Sequence, residues 1–371
     1  MRNIIHYYPR AFVGNGGVTI AVWRFIESFK NKGNNIWVAF DKSLDDKQPL
    51  KIKGTKRIKV KHFFNGKFSL PENFLKNFNK NTIVILHSGF LIRNIIVSLY
   101  ALRIGAKTIL VPHGCYDPIL LKEKFLLKRI FIFIEKYIYK YLFFIQAFTE
   151  KDKKNIAKIF KNNRIEVIPV PIPVLNQSKF KKRKKNYFSY VGRYEMKTKG
   201  LDLLIKTYEM LPNQLKIPII MHGTNGKKTN INDVKNYVKE KKQQNYIKVL
   251  GPIYGHKKLN FIKSSYMTIQ LSRWDCFPLS VFESIALGVP CLLSKNATIS
   301  ELIKKNKLGF ITDLKIKSIK RKLIYIIRNK KKIINMMKKS YFIKTQLSSK
   351  VIKEKFLLKR IFIFIEKYIY K

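Results

Sequence analysis

The stretch NYFSYVGRYEMKTKGLDLLIKTYEM, Asn186 to Met210, decides how the chain reads. Tyr187 to Val191 is a short run rich in aromatic residues, Gly192-Arg193 interrupts it, and Leu201 to Met210 carries the apolar spacing of a helix opened by Lys199-Gly200. Strand, glycine-bearing loop and helix in that order form half of a β-α-β unit, so the loop belongs at the carboxyl edge of a parallel sheet. Downstream the alternation continues. Strands are expected at residues 218–221, 247–250, 267–271 and 291–293, and helices at 234–242, 279–287 and 300–305. Upstream it has already run once, with strands expected at 3–7, 35–40, 58–63, 82–86, 108–111 and 165–168 and helices at 18–30, 91–103, 119–143 and 151–160. Between the two series lie the stiff Pro169-Val170-Pro171-Ile172-Pro173 and the basic, aperiodic Gln177 to Lys185. The expected organisation is α/β, with two Rossmann-like doubly wound domains at 1–168 and 186–330, a linker at 169–185 and C-terminal helices at 331–371.

Size and composition agree with two cores: 371 residues with 46% hydrophobic exceed what one core usually serves. Three cysteines, Cys115, Cys276 and Cys291, with no C-x-x-C and no His or Cys partner at zinc-ligand spacing, argue against disulfides and a structural metal. Arg or Lys interrupts every long apolar run short of the roughly 20 residues a membrane-crossing helix needs. The start, Met1-Arg2-Asn3-Ile4-Ile5, lacks the features of a signal peptide, so a cytoplasmic location is expected. The charge is the outlier, 76 Lys+Arg against 22 Asp+Glu, or +54. It favours anionic partners, but Lys, Ile, Asn, Phe and Tyr share A/T-rich codons, which makes genome bias an equal explanation. The basic residues are dispersed and form no recognised module, so the expectation is no nucleic acid. One peptide, KEKFLLKRIFIFIEKYIYK at Lys122 to Lys140, recurs unchanged as Lys353 to Lys371. It reads as a recent duplication, recombination or sequence-assembly event that replaced the natural C-terminus, with no function expected from the second copy.

Four places carry chemistry. Gly14-Asn15-Gly16-Gly17 follows the first strand and opens a helix, where freed backbone amides meet an anion. Arg193 and Lys199 flank a helix N-terminus at the carboxyl ends of strands, where open parallel sheets bind ligands and two cations converge on a diphosphate without a metal. Asp275 and Glu283 bracket SRWDCFPLSVFESIALGVP, residues 272–290. The first is expected in a loop and the second about one turn into a helix, so that both accept hydrogen bonds from sugar hydroxyls while loop amides at Phe277 and Leu279 contact phosphates. His87 and His113 each follow a strand of the first half. His87 reads equally well as a structural histidine.

On these residues the chain resembles the retaining glycosyltransferase family 4, of GT-B fold. The family's G-R…K-G motif corresponds to Gly192-Arg193 and Lys199-Gly200, its E-x7-E motif to Asp275 through Glu283, and its glycine turn to Gly16-Gly17. Departures are Asp for the first Glu, Cys276 and Pro278 for two loop glycines, and Pro169-Val170-Pro171 for Pro-Asn-Gly. The resemblance implies two domains facing across a cleft and a nucleoside-diphosphate sugar as donor. Arg193 and Lys199 then lie on its phosphates, Glu283 on its ribose and Asp275 on its sugar. It implies His113 as the active-site histidine, whose side chain touches the donor sugar and whose carbonyl helps stabilise an oxocarbenium-like transition state. No cofactor and no metal are expected. The acceptor is expected to be a glycan or lipid-linked molecule, recognised by N-domain loops at 41–57 and 65–80. A sugar-nucleotide epimerase or an inactive relative keeps the fold with other chemistry.

Residues 119–143 read as one amphipathic helix. Leu126, Leu127, Ile130, Ile134, Tyr137 and Tyr141 are expected to pack on the sheet, opposite Lys122, Lys128, Arg129, Lys136 and Lys140. Phe125, Ile132 and Tyr139 on the basic side suggest that face lies on anionic lipid, peripheral to the inner membrane surface.

Overall fold

The chain's computed structural model describes residues 3–11, 16–29, 35–41, 56–60, 79–170, 186–329 and 333. It divides into two compact units between Pro171 and Ile172. The basic stretch 177–185, most of 331–371 including the repeated peptide, Gly14-Asn15 and most of the two N-domain loops lie outside the described residues.

In the first unit the strands are β1 (Asn3–Tyr7), β2 (Asn35–Asp41), β3 (Lys56–Val60), β4 (Ile83–His87), β5 (Lys107–Val111), β6 (Phe144–Ala147) and β7 (Ile165–Val167). The helices are α1 (Gly17–Phe29), α2 (Ile92–Arg103), α3 (Pro118–Leu121), α4 (Phe125–Tyr139) and α5 (Glu150–Ala157). All strands pair in parallel in the order β3-β2-β1-β4-β5-β6-β7, with Ile5 opposite Trp37 on one side and Val84 on the other. The order reverses between β1 and β4. At that point the helices leave the sheet's two neighbouring strands on opposite faces and open a crevice at their carboxyl ends.

The second unit repeats the plan with β8 (Phe188–Val191), β9 (Ile219–His222), β10 (Ile247–Leu250), β11 (Met267–Gln270), β12 (Cys291–Ser294) and β13 (Gly309–Thr312). Its α-helices are α6 (Leu201–Glu209), α7 (Ile231–Glu240), α8 (Gly255–Ser264), α9 (Leu279–Ala286), α10 (Ser300–Lys305) and α11 (Ile316–Arg328). The sheet runs β10-β9-β8-β11-β12-β13, all parallel, and reverses between β8 and β11. The core is continuous from Tyr190 and Ile205 to Ile269 and Leu323. The expected doubly wound α/β class therefore holds in both units.

Three differences from the sequence reading have physical causes. Strands β6 and β13 and helices α8 and α11 were not anticipated. Phe144–Ala147 is four residues long and buried throughout, so it lacks the alternation that marks a half-exposed strand and merges with the apolar residues before it. The helix expected over 119–143 is broken: Asp117 caps α3 through the Ile119 amide, and Lys124 then takes a left-handed conformation, φ 51°, before α4 begins. Finally, α4 presents the opposite face. Leu126, Leu127, Ile130, Ile134, Tyr137 and Tyr141, expected on the sheet, are exposed, Leu126 at 75%, as is Phe133 at 77%. Ile138 and Tyr139 enter the core instead.

What turns α4 around is Glu135. Its buried carboxylate accepts hydrogen bonds from the Phe90 amide at 2.8 Å and the Tyr116 hydroxyl at 2.9 Å. Those bonds tie α4 to the loop after β4, where Ser88 and Phe90 both have positive φ and a side chain at Gly89 would collide with Tyr116. Burial raises the Glu135 carboxyl from 4.5 to about 7, against the lowering effect of those hydrogen bonds. The unfolded chain ionises this group first. Its favourable contribution is therefore full below about pH 4.5 and is lost as pH rises towards and through about 7. Glu135→Gln should flatten that slope. Urea unfolding of the parent and variant between pH 4 and 8 is expected to show the parent's advantage shrinking as pH rises, and parallel curves would contradict the assignment.

Candidate functional site

In the second unit the loops after β8 and β11 leave adjacent strands at the reversal point. The first is held by Gly192 N donating to His222 O at 3.1 Å, Tyr194 N to Thr224 O at 2.8 Å and the Tyr190 hydroxyl to Arg193 O at 2.7 Å. This fixes the Arg193 backbone while its side chain stands exposed. Gly200 then opens α6 at φ 65°, and any Cβ there would lie 2.0 Å from the Leu271 carbonyl oxygen. Only glycine lets the two loops approach this closely.

The second loop is stapled to the first. Arg273 N donates to Thr198 O at 2.9 Å, and the Arg273 guanidinium forks onto Asp202 at 2.7 and 2.9 Å. Burial pushes the Asp202 carboxyl up, but the bonds from Arg273 and Lys197 outweigh it and hold the group below its ordinary value. Deeper in, the Lys199 ammonium donates to Asp275 Oδ2 at 2.6 Å, and Gln270 Nε2 and Ser272 Oγ approach the same oxygen at 2.5 and 3.3 Å. Ser280 Oγ in turn holds Gln270 Oε1 at 3.1 Å. Lys199 and Asp275 were read as separate ligands; the structure makes them one ion pair, with Asp275 only 8% exposed. An ammonium has three donors, so Lys199 retains capacity for an anion beyond this bond.

Phe277 stacks on Phe282 with ring centroids 4.2 Å apart, which sends its side chain along α9. Pro278 precedes the helix, where a missing N–H costs no intrahelical bond, and Leu279 is the first helical residue. Glu283, just over one turn in, is 2% exposed and pairs with Lys258 of α8 at 2.9 Å. Lys258, Gln270 and Ser272 were missed by the sequence reading. Lys258 is one lysine among many on a helix whose pattern is weak, and Gln270 lies inside a strand, where only the strand order reveals its partner.

In the first unit Gly16 precedes α1 and Gly17 starts it; a Cβ on Gly17 would meet nothing within 4 Å, and on Gly16 only Thr19 Oγ1 at 3.9 Å. Among the described residues, crowding therefore does not require glycine at either place. His87 ends β4 and is wholly buried, with His6 Nδ1 at 3.0 Å from its Nε2 and His113 Nε2 at 2.9 Å from its Nδ1. His113 follows β5 with φ 54°, a strained conformation for a histidine, and packs edge-on against Phe148. Burial lowers the His6 and His113 imidazoles to about 3 and that of His87 well below its ordinary value. All three are neutral at physiological pH. His6, inside β1, carried no sequence signal.

Residues 172–341 match the family described as Glycosyl transferases group 1. The match lies within the second unit. The whole chain superposes on sucrose-phosphate synthase from Thermosynechococcus elongatus with a TM-score of 0.75 and 14% identity, covering 98% of this chain and 100% of that one. HepE of Anabaena, in complex with UDP and glucose, gives a TM-score of 0.78 at 12% identity, over 99% and 100%. These likenesses give the fold as GT-B. An uncharacterized 41.2 kDa protein in the cps region of Klebsiella pneumoniae is 24% identical over 255 residues, 64% of this chain and 66% of that protein. The chain thus spans just under two thirds of that relative's length.

The buried Lys199–Asp275 pair should be costly to halve. Lys199→Met is expected to destabilise the second unit by ~3 kcal/mol, because it leaves a carboxylate without its cation. Adding Asp275→Asn should recover part of that loss. Additive losses in chemical denaturation would mean the two groups do not act as a pair.

Proposed function

We propose that this protein is a retaining glycosyltransferase that moves a sugar from a nucleoside-diphosphate donor to a glycan or lipid-linked acceptor in the synthesis of a cell-surface polysaccharide. The observation that carries the reading is that Arg193 and Lys199 both lie in the loop after β8, where the sheet reverses, with Lys199 bound to Asp275 of the loop that leads into α9, within a domain matching glycosyl transferases group 1. Two cations and a helix N-terminus supply the charge a departing diphosphate needs, so the reading includes no metal or cofactor. Glu283, oriented by Lys258, is assigned to the donor ribose, and Asp275 to the donor sugar. The backbones at Phe277 and Leu279 are assigned to the phosphates, as is the Gly16-Gly17 turn. His113 is assigned to the sugar and the transition state. A GT-B structure holding UDP and glucose and a relative in a cps region both fit this reading.

The reaction is assigned to the inner membrane surface. Exposed Leu126, Leu127, Ile130 and Phe133 on α4 lie among exposed Lys122, Arg129, Lys136 and Lys140, and the only acid within the helix, Glu135, is buried. An apolar face rimmed by cations matches the headgroup boundary of an anionic bilayer. This replaces the row containing Tyr139, which belongs to the core.

Donor binding is tested by titrating a panel of nucleoside diphosphates and nucleotide sugars. One class should bind, and Arg193→Ala should weaken it by ~10-fold or more, the value of a charge-assisted contact. Binding of none of them, with duplex DNA bound in high salt instead, would refute the transferase. Sedimentation with phosphatidylglycerol vesicles should carry the protein down at low salt, and Leu126→Glu with Phe133→Glu should weaken this by ~10-fold or more. Failure to bind at low salt removes the membrane assignment alone.

A further inference from the structure

His6, His87 and His113 lie on three neighbouring elements at the carboxyl edge of the first sheet: within β1, at the end of β4 and just after β5. Two ring-to-ring hydrogen bonds join them in line, His6 Nδ1 to His87 Nε2 at 3.0 Å and His87 Nδ1 to His113 Nε2 at 2.9 Å. The surroundings are aromatic: Phe29 beside His6, Tyr8 and Phe25 beside His87, and Phe148 beside His113. Burial keeps each imidazole neutral.

A neutral imidazole has one N–H and one bare nitrogen. Each ring-to-ring bond needs one of each, so choosing the proton's place on any ring fixes it on all three. Only two arrangements are consistent. If His6 carries its proton on Nδ1, it donates to His87 Nε2, His87 donates from Nδ1 to His113 Nε2, and His113 is left with an Nδ1–H. If the chain runs the other way, every proton sits on Nε2, and His6 Nε2–H has no acceptor. His6 Nε2 is buried without a hydrogen-bond partner among the described residues. A buried bare lone pair is tolerated more readily than a buried orphan N–H.

We propose that His6 and His87 are positioning residues that hold His113 in the Nδ1–H tautomer, so that its outer nitrogen is a permanent neutral hydrogen-bond donor, suited to a hydroxyl oxygen of the donor sugar. His6 hydrogen-bonds to His87, not to His113. It acts two rings away, by deciding which nitrogen of His113 bears the proton. The same chain fixes the ring plane of a residue whose backbone is already held at positive φ. The assignment of a sugar as the ligand rests on the transferase reading; the relay itself does not.

Long-range nitrogen–proton correlation spectra of the histidine-labelled protein read the tautomer of each ring without any ligand. The expected result is Nδ1–H on all three, unchanged between pH 8 and pH 5. A ring in the opposite tautomer to its neighbours, or one that titrates in that range, overturns the relay. His6→Phe should add an Nε2–H population at His113, and an unchanged His113 signal in that variant overturns the coupling. In donor turnover, His6→Phe should lower kcat by ~10-fold or more with KM for the donor unchanged, as expected of a group that orients a reacting one. A shifted tautomer with unchanged kcat overturns the positioning role. If no nucleotide sugar turns over in the parent, the transferase reading has failed, and the spectra still decide the relay.

Discussion

The second unit depends on how two loops are held together where its sheet reverses. Strands β8 and β11 are neighbours, and their following segments would diverge to opposite faces of the sheet if nothing joined them. Three contacts prevent this: the Arg273 amide on the Thr198 carbonyl, the Arg273 fork on Asp202, and the Lys199–Asp275 ion pair beneath them. Gly200 makes the approach sterically possible. Arg193 then stands exposed on a backbone that cannot drift, and the N-terminus of α9 follows the same stapled loop. An anion site made of side chains alone would lose much of its binding energy in ordering them. Here the contacts of Arg273 and Lys199 within the protein already order the two loops.

This explains why the departure at position 275 need not be a defect. A glutamate there would reach farther from the loop. The aspartate instead sits low, with Oδ2 shared by Lys199, Gln270 and Ser272. A shorter acid thus lies close to its cation, and Gln270, itself fixed by Ser280, completes the arrangement. The charge at this spot is balanced internally, whereas Arg193 supplies the exposed positive charge. The two cations of the loop therefore have different settings: Lys199 is tied into the scaffold, and Arg193 faces outward.

The sequence shows most clearly what glycine, charge and strand-end position mark together. Gly192-Arg193, Lys199-Gly200 and Asp275 are polar or glycine residues beside strongly apolar runs, so their places in loops follow from local pattern, and the alternation of runs was enough to give two doubly wound sheets. Hidden from it was whatever depends on which strands become neighbours. Gln270 is one residue in a strand until β8 lies next to β11, and His6 is one residue in β1 until β4 brings His87 beside it. Short elements buried on both sides, β6 among them, carry no period to read. Helix α4 misleads for a further reason: its pattern is amphipathic, but the buried side is chosen by a single acid with two specific donors rather than by the larger apolar stripe.

That choice has a physical logic. A carboxylate without partners would be driven out of the core, and Leu126, Leu127 and Ile130 would take its place. The loop after β4 offers an amide at Phe90, and Tyr116 offers a hydroxyl, two donors that would themselves be unsatisfied if buried without an acceptor. Pairing three polar groups removes three penalties at once. Turning the helix over would restore them all in exchange for covering the stripe. The stripe stays outside because the loop it would release is the one that leads from β4 and His87, so the helix face and the backbone that follows His87 are held by the same few contacts.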